Sequence, residues 1–225
     1  AGVAIAGLTL AAIAQMPCKP EAAASTAKRA VKSADGSFLR KYPAFVLMLI
    51  SCLFSLTSHN LTSTYLLQII QSLGGNGGHL GTALAIQAII EVPVLFGFSF
   101  LLKRFRPATL MLISSIGYAV KATLFALSGS IAMIYITELM QIFSFALFAS
   151  ASVYYAADSI RTEDQVTGQA LMTSMVASGT VIGSLLGGWL LELTSIPTML
   201  GLNVVIAALG VVAAWLSLSK TPAKA

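Results

Sequence analysis

Residues 108–157 read ATLMLISSIGYAVKATLFALSGSIAMIYITELMQIFSFALFASASVYYAA. The stretch is apolar almost throughout. It is broken once, at Ser128-Gly129-Ser130, and carries only two charged side chains, Lys121 and Glu138. Each arm, 108–128 and 131–157, is long enough at about 1.5 Å per residue to cross a hydrocarbon core of about 30 Å. Neither arm alternates apolar and polar residues, so neither reads as a barrel strand. The stretch reads as two membrane-spanning helices joined by a tight turn.

Working outward, the same alternation of long apolar runs and short breaks continues in both directions. Upstream, Lys103-Arg104-Phe105-Arg106-Pro107 is a charged break with a helix-starting proline, and Leu73-Gly74-Gly75-Asn76-Gly77-Gly78 is a turn signal. Downstream, Asp158 to Gln165 is a polar loop and Leu193-Thr194-Ser195-Ile196-Pro197 a short break. Residues 43–218 thus resolve into spans near 44–72, 80–102, 108–128, 131–157, 167–192 and 197–218. The expected fold class is an all-α integral membrane protein with six transmembrane helices. Composition agrees: 57% of the chain is hydrophobic and only 9% charged, against about 25% charged in a soluble domain. That excludes a water-soluble monomer.

The ends are read separately. Residues 1–14 are apolar but short of the roughly 20 residues a span needs. Ala12-Ile13-Ala14 has the form of a signal cleavage site, yet no basic segment precedes it. The expectation is that residues 1–14 are the end of a preceding transmembrane helix. Residues 15–42 are polar, with Lys19, Lys28, Arg29, Lys32, Arg40 and Lys41, and read as a loop or surface helix. Residues 219–225 form a short tail. Cys18 lies in the polar loop and Cys52 in an apolar helix, so no disulfide is expected.

The basic residues test the topology. With the 15–42 loop in the cytoplasm, the segments on that side are 15–42, 103–107, 158–166 and the tail. Of the 13 Lys and Arg, 12 fall there, none falls in an outer segment, and Lys121 lies within a span. This is the positive-inside pattern without a violation. It places the termini and the 15–42 loop in the cytoplasm of a multi-pass protein of the cell membrane. It also excludes nucleic acid as the reason for the net charge of +5.

Ionisable groups inside a bilayer cost several kcal/mol by insertion scales, about 2.5–3.5 each. His59, Glu91, Lys121 and Glu138 therefore need partners. Lys121 and Glu138 flank the Ser128-Gly129-Ser130 turn, each roughly 10 Å below the outer surface by helical rise, and so lie at one depth. Glu91 lies nearer the midplane, within reach of the Lys121 stem. One lysine shared by two carboxylates leaves one carboxylate short of a partner, the kind of group that carries a proton. The competing reading is an ion pair that only fixes helix register.

Polar residues also recur on helical faces. Ser51, Ser55, Ser58, Thr62 and Tyr65 share one face of the first span, with His59 and Asn60 beside it. Glu138, Gln141, Phe145, Phe148, Ser152 and Tyr155 repeat the pattern on the fourth. For each Ser or Thr, helix-to-helix hydrogen bonding is the favoured reading. Asn60, Gln141 and Tyr65 as a set read as cavity lining. Gly179, Gly183 and Gly187 on the fifth span are a close-packing stripe.

Taken in order, these features resemble the C-terminal half of a major facilitator superfamily transporter, from the end of helix six to helix twelve. The 15–42 segment resembles the central cytoplasmic loop. Ser58-His59-Asn60 with Tyr65, and Gly168-Gln169-Ala170-Leu171 through Gly183-Ser184-Leu185-Leu186-Gly187-Gly188-Trp189, resemble helices seven and eleven of the sugar-permease-like branch. The resemblance implies two three-helix repeats of inverted topology within residues 43–218. In lactose-permease-like proton symporters an acid lies on helix eight, a base on helix nine and a His/Glu pair on helix ten. Glu91 and Lys121 fall at the first two places, whereas Gln141 and Ser144 stand near the pair.

The resemblance implies secondary active transport of a small polar solute, a sugar or related metabolite, by alternating access with proton coupling. Glu91, Lys121, Glu138, Gln141, Asn60, His59, Tyr65 and Ser144 are the candidate substrate or proton residues. The expected partners are that solute, protons, the lipid bilayer and an N-terminal six-helix half. A drug or metabolite efflux carrier and a non-transporting helical scaffold are the alternatives. No metal-ligand cluster, cofactor motif or nucleophile-and-base pair stands out, so no enzyme is expected.

Overall fold

The computed structural model of the chain describes residues 36–220. The expected helix end at 1–14, Cys18, most of the 15–42 segment and residues 221–225 lie outside the described residues. What is described is helical, with no strand among those residues. A short helix α1 (Gly36–Lys41) leads into the first span, made of α2 (Pro43–Thr64) and α3 (Leu66–Ser72). The second span is α4 (Gly77–Arg104) and the third α5 (Pro107–Leu127). The fourth is broken into α6 (Ile131–Glu138), a 3-10 turn (Leu139–Ile142) and α7 (Phe145–Ser159). A 3-10 turn (Thr162–Asp164) precedes the fifth, α8 (Gln165–Leu193), and the sixth is α9 (Ile196–Lys220). All six spans are long and apolar enough to cross a membrane.

The helix ends follow from local sequence. Pro43 and Pro107 occupy the first turns of α2 and α5, where no backbone N–H is missed. Asn76 caps α4 by accepting from the Gly78 and His79 amides, and His79 Nδ1 accepts the Asn76 amide in return at 3.2 Å. That gives His79 a structural task at the outer turn. Gly74 adopts φ 80° in the same turn, a conformation favouring glycine. Ser130 caps α6 by accepting from the Met133 amide.

The first span packs on the fifth and sixth, and the fourth packs on the second and third. The third and sixth pack on each other. This exchange of neighbours is what two three-helix units of inverted topology require. The up-and-down path gathers Arg40, Lys41, Lys103, Arg104, Arg106, Arg161 and Lys220 at one end of the bundle. There Lys41 Nζ lies 2.7 Å from Asp164 Oδ2, and Tyr42 Oη donates to the same carboxylate at 2.8 Å. The Asp164 carboxylate holds the Lys41 ammonium well above the usual lysine range. These contacts tie the start of the first span to the loop before the fifth.

The serine face of the first span is a packing seam. Ser51, Ser55, Ser58 and Thr62 are all buried. Ser51 Oγ pairs with Ser115 Oγ at 2.9 Å, and Thr62 donates to the Ser58 carbonyl of its own helix. The glycine stripe is the other seam. A Cβ on Gly179 would stand 2.6 Å from Leu56 Cβ, and one on Gly183 2.6 Å from the Thr57 carbonyl oxygen. Because Thr57 O belongs to a helix backbone, it cannot swing aside. Gly183→Ala is therefore expected to lower stability by about 1–3 kcal/mol. Gly201→Ala, where a Cβ meets nothing within 4 Å, should be neutral. Unfolding midpoints of the purified variants check the pair.

Candidate functional site

The fourth span breaks where its ionisable residue sits. Glu138 ends α6 and Gln141 lies within the following 3-10 turn. In that tighter turn, side chains three apart nearly eclipse each other. Glu138 and Gln141 are three apart, so both point at one spot on the neighbouring span. Ser144, at φ −98° and ψ −99°, leaves helical geometry before α7 restarts. The break is seated on the third span by two features of α5. A Cβ on Gly117 would run into the Phe143 carbonyl, so only glycine lets the chains approach there. Ser114 Oγ donates to the Ser144 carbonyl at 3.0 Å.

The spot that both residues reach is Lys121. Its Nζ lies 2.7 Å from Glu138 Oε2 and donates to Gln141 Oε1 at 2.6 Å. Gln141 donates its amide N–H to Glu91 Oε1 on the second span at 2.8 Å. Gln87, one turn before Glu91, donates to Glu138 Oε2 at 2.5 Å. Three spans are thereby joined by one hydrogen-bonded chain, from Glu91 through Gln141 and Lys121 to Glu138 and Gln87. Lys121 and Gln141 are buried and Glu138 is wholly so, while Glu91 and Gln87 are half-buried. The polar groups turn inward, as hydrocarbon requires.

This geometry corrects one expectation. Lys121 does not bridge the two carboxylates itself. It pairs directly with Glu138, and the Gln141 amide stands between it and Glu91. An amide can do this because its oxygen accepts from the ammonium while its N–H donates to the carboxylate. With all three charged groups ionised, the chain carries a net single negative charge. Glu138 Oε1 is buried with no hydrogen-bond partner among the described residues. Pro93, two residues past Glu91, removes the N–H that would bond the Ile89 carbonyl, loosening α4 beside the network.

The other candidates divide. Ser144 is fully buried at the break, and its hydroxyl donates to the Met140 carbonyl at 3.0 Å. His59 stacks on Phe145 with ring centroids 5.1 Å apart and lies 5.6 Å from the Tyr118 ring. Its Nδ1 is buried with no partner among the described residues. Asn60 Nδ2 donates to the Leu56 carbonyl of its own helix, at 2.9 Å. Tyr65 Oη donates to the Ser184 carbonyl at 2.8 Å, with its ring over Gly187. Asn60 and Tyr65 thus dock the first span on the fifth and do not join the charged chain.

Two residues were missed by reading sequence. Gln87 sits four before Glu91 and Tyr118 three before Lys121, so helical spacing alone puts each beside a charge. Tyr118 is buried, and its hydroxyl has no partner among the described residues.

A comparison with curated proteins finds no match. The MFS_1 like family matches residues 1–200, most of the chain. Six membrane-length helices agree with this match. The chain belongs to the MFS_1 like family and is a multi-pass membrane transporter related to the major facilitator superfamily.

Proposed function

We propose that the chain is the C-terminal half of a proton-coupled secondary transporter that moves a small polar solute by alternating access. The observation that carries this reading is the buried chain Glu91–Gln141–Lys121–Glu138 at the break in the fourth span. Lys121 pairs with Glu138 alone, and Glu91 meets only the neutral Gln141 amide, so Glu91 can take up a proton without stranding a positive charge. The break supplies the hinge, since discontinuous spans mark the moving and binding parts of transporters. The half-buried Glu91 is where a solute hydroxyl or amine has access, and Glu138 is the deeper store of charge.

The other wall of the cavity is expected from an N-terminal six-helix half. Ile89 is 72% exposed, Phe96 83% and Phe100 74%, an apolar face of the second span that such a half or lipid would cover. The basic end of the bundle is assigned to the cytoplasm by the positive-inside rule. A sugar or related metabolite is the proposed solute class. No enzymatic step is assigned, and no cofactor is called for.

The test is proton movement in vesicles holding the full-length protein. Adding a transported sugar to de-energised vesicles is expected to alkalinise the medium, with one proton entering per solute. A panel of sugars, polyols and amines that moves neither solute nor protons would leave the helical scaffold as the better reading. Solute movement with proton release to the outside would favour efflux instead.

A further inference from the structure

The charged chain leaves two buried polar atoms unexplained beside it. Tyr118 sits on α5 three residues before Lys121, on the same helical face. It is 2% exposed, and its hydroxyl has no hydrogen-bond partner among the described residues. His59 of the first span lies against it, with ring centroids 5.6 Å apart. The His59 Nδ1 is buried and also lacks a partner among the described residues. Hydrocarbon offers neither atom a substitute, so each costs stability and calls for a partner.

The surroundings are those of a small-molecule site. Phe145 stacks on His59 at 5.1 Å, and Phe148 meets the Tyr118 ring edge-on at 6.3 Å. Aromatic walls with a few aimed polar groups are how proteins hold small solutes. His59 and Phe145 are only half-buried, so the aromatic cluster reaches the surface of the bundle there. Phe145 is also the first residue of α7, directly after Ser144 leaves helical geometry. Movement at the break would therefore carry Phe145 across the His59 ring.

We propose that His59 Nδ1 and Tyr118 Oη are solute-hydroxyl contacts, with Phe145 as a cover that shifts when the fourth span bends at its break. The inference rests on the solute-binding part of the transport reading and narrows the solute to a neutral polyhydroxyl one. Hydrogen-bond chemistry selects the hydroxyl. It both donates and accepts, so it satisfies an imidazole nitrogen in either tautomer and the phenol as well. An ammonium only donates, and leaves the Tyr118 O–H without an acceptor. It would also add a cation on the face that carries Lys121. A carboxylate only accepts, and fails at an unprotonated Nδ1. A sugar or polyol brings several hydroxyls, so the two atoms need not share one.

The test measures binding to the full-length protein in detergent, by the shift of its unfolding midpoint, with no pH gradient. The probes are glucose, galactose, xylose, mannitol and inositol. Putrescine and succinate, which carry amines or carboxylates and no alcohol, are the counterparts. At least one neutral probe is expected to raise the midpoint, since a solute that binds only the folded state stabilises it. Putrescine and succinate should not. Without solute, Tyr118→Phe should melt no lower than the parent, because it removes a hydroxyl that bonds nothing. It should bind the neutral probe about tenfold more weakly. His59→Phe, which keeps a ring on Phe145, should weaken binding to a similar extent. Thr123→Val, exposed on the same span as Tyr118, should leave binding unchanged. A Tyr118→Phe midpoint well below the parent's would make the hydroxyl a structural group and overturn the proposal. So would parental affinity in both ring variants, or a panel in which no neutral probe moves the midpoint. Binding that persists when vesicles show no proton movement would remove the coupling and still support the hydroxyl contacts.

Discussion

Replacing Glu138 by alanine is expected to destabilise the protein by about 3–5 kcal/mol, the cost of stranding a buried charge. Lys121 is 4% exposed and Glu138 0%, and their charged atoms lie 2.7 Å apart. With the carboxylate gone, the ammonium keeps one neutral acceptor, Gln141 Oε1, in a region where water cannot replace the loss. Gln87 loses its acceptor too. The double variant Glu138→Leu/Lys121→Met removes both charges together, and buried pairs replaced by apolar residues are often tolerated. It should recover most of the loss, short of about 1–3 kcal/mol for amides left unpaired. Unfolding midpoints of the purified variants measure this. A double variant as unstable as Glu138→Ala would locate the loss in packing instead of in a stranded charge.

The spans were legible because membrane insertion writes itself into composition. A helix in hydrocarbon must satisfy its own backbone, so each crossing is a long apolar run and each turn a cluster of Gly, Ser, Pro or charge. That rule recovered the Ser128-Gly129-Ser130 turn and the Arg106-Pro107 helix start. It could not see two of the features that shape the site. The interruption at Tyr65 and the 3-10 turn at Leu139–Ile142 contain no Gly or Pro. The fourth-span break is held by its neighbour, through Gly117 and Ser114 of the third span, so its cause lies outside the segment that bends.

The site was legible in part for a similar reason. Rarity picked out Glu91, Lys121 and Glu138, because a charge within a span is conspicuous. The turn geometry put Lys121 and Glu138 at one depth, and they do meet. Which partner takes each bond is set by distances of a few tenths of an ångström, to which helical spacing is blind. Gln141 between Lys121 and Glu91 is such a case. Asn60 and Tyr65 are a different case. Polar periodicity cannot tell a cavity face from a docking face, and theirs docks against Gly183 and Gly187.

Replacing Glu91 by glutamine is expected to separate solute exchange from proton-driven accumulation. The side-chain shape is kept, and glutamine still offers Gln141 Nε2 a carbonyl oxygen to bond, as Glu91 Oε1 does now at 2.8 Å. The substitution removes one negative charge from the chain and a carboxylate that can take a proton. Solute exchange between two faces of equal concentration needs no net proton movement, so it should persist within about threefold of the parent. Uptake against a gradient, driven by a pH difference, should fall tenfold or more, a loss of at least about 1.4 kcal/mol of coupling. Glu138→Gln makes the informative contrast. It weakens the only ion pair of Lys121 among the described residues and should depress both activities together. If Glu91→Gln still accumulates solute at the parental rate under a pH gradient, Glu91 carries no proton, and the coupling group must be sought at Glu138 or at His59, whose Nδ1 has no partner among the described residues.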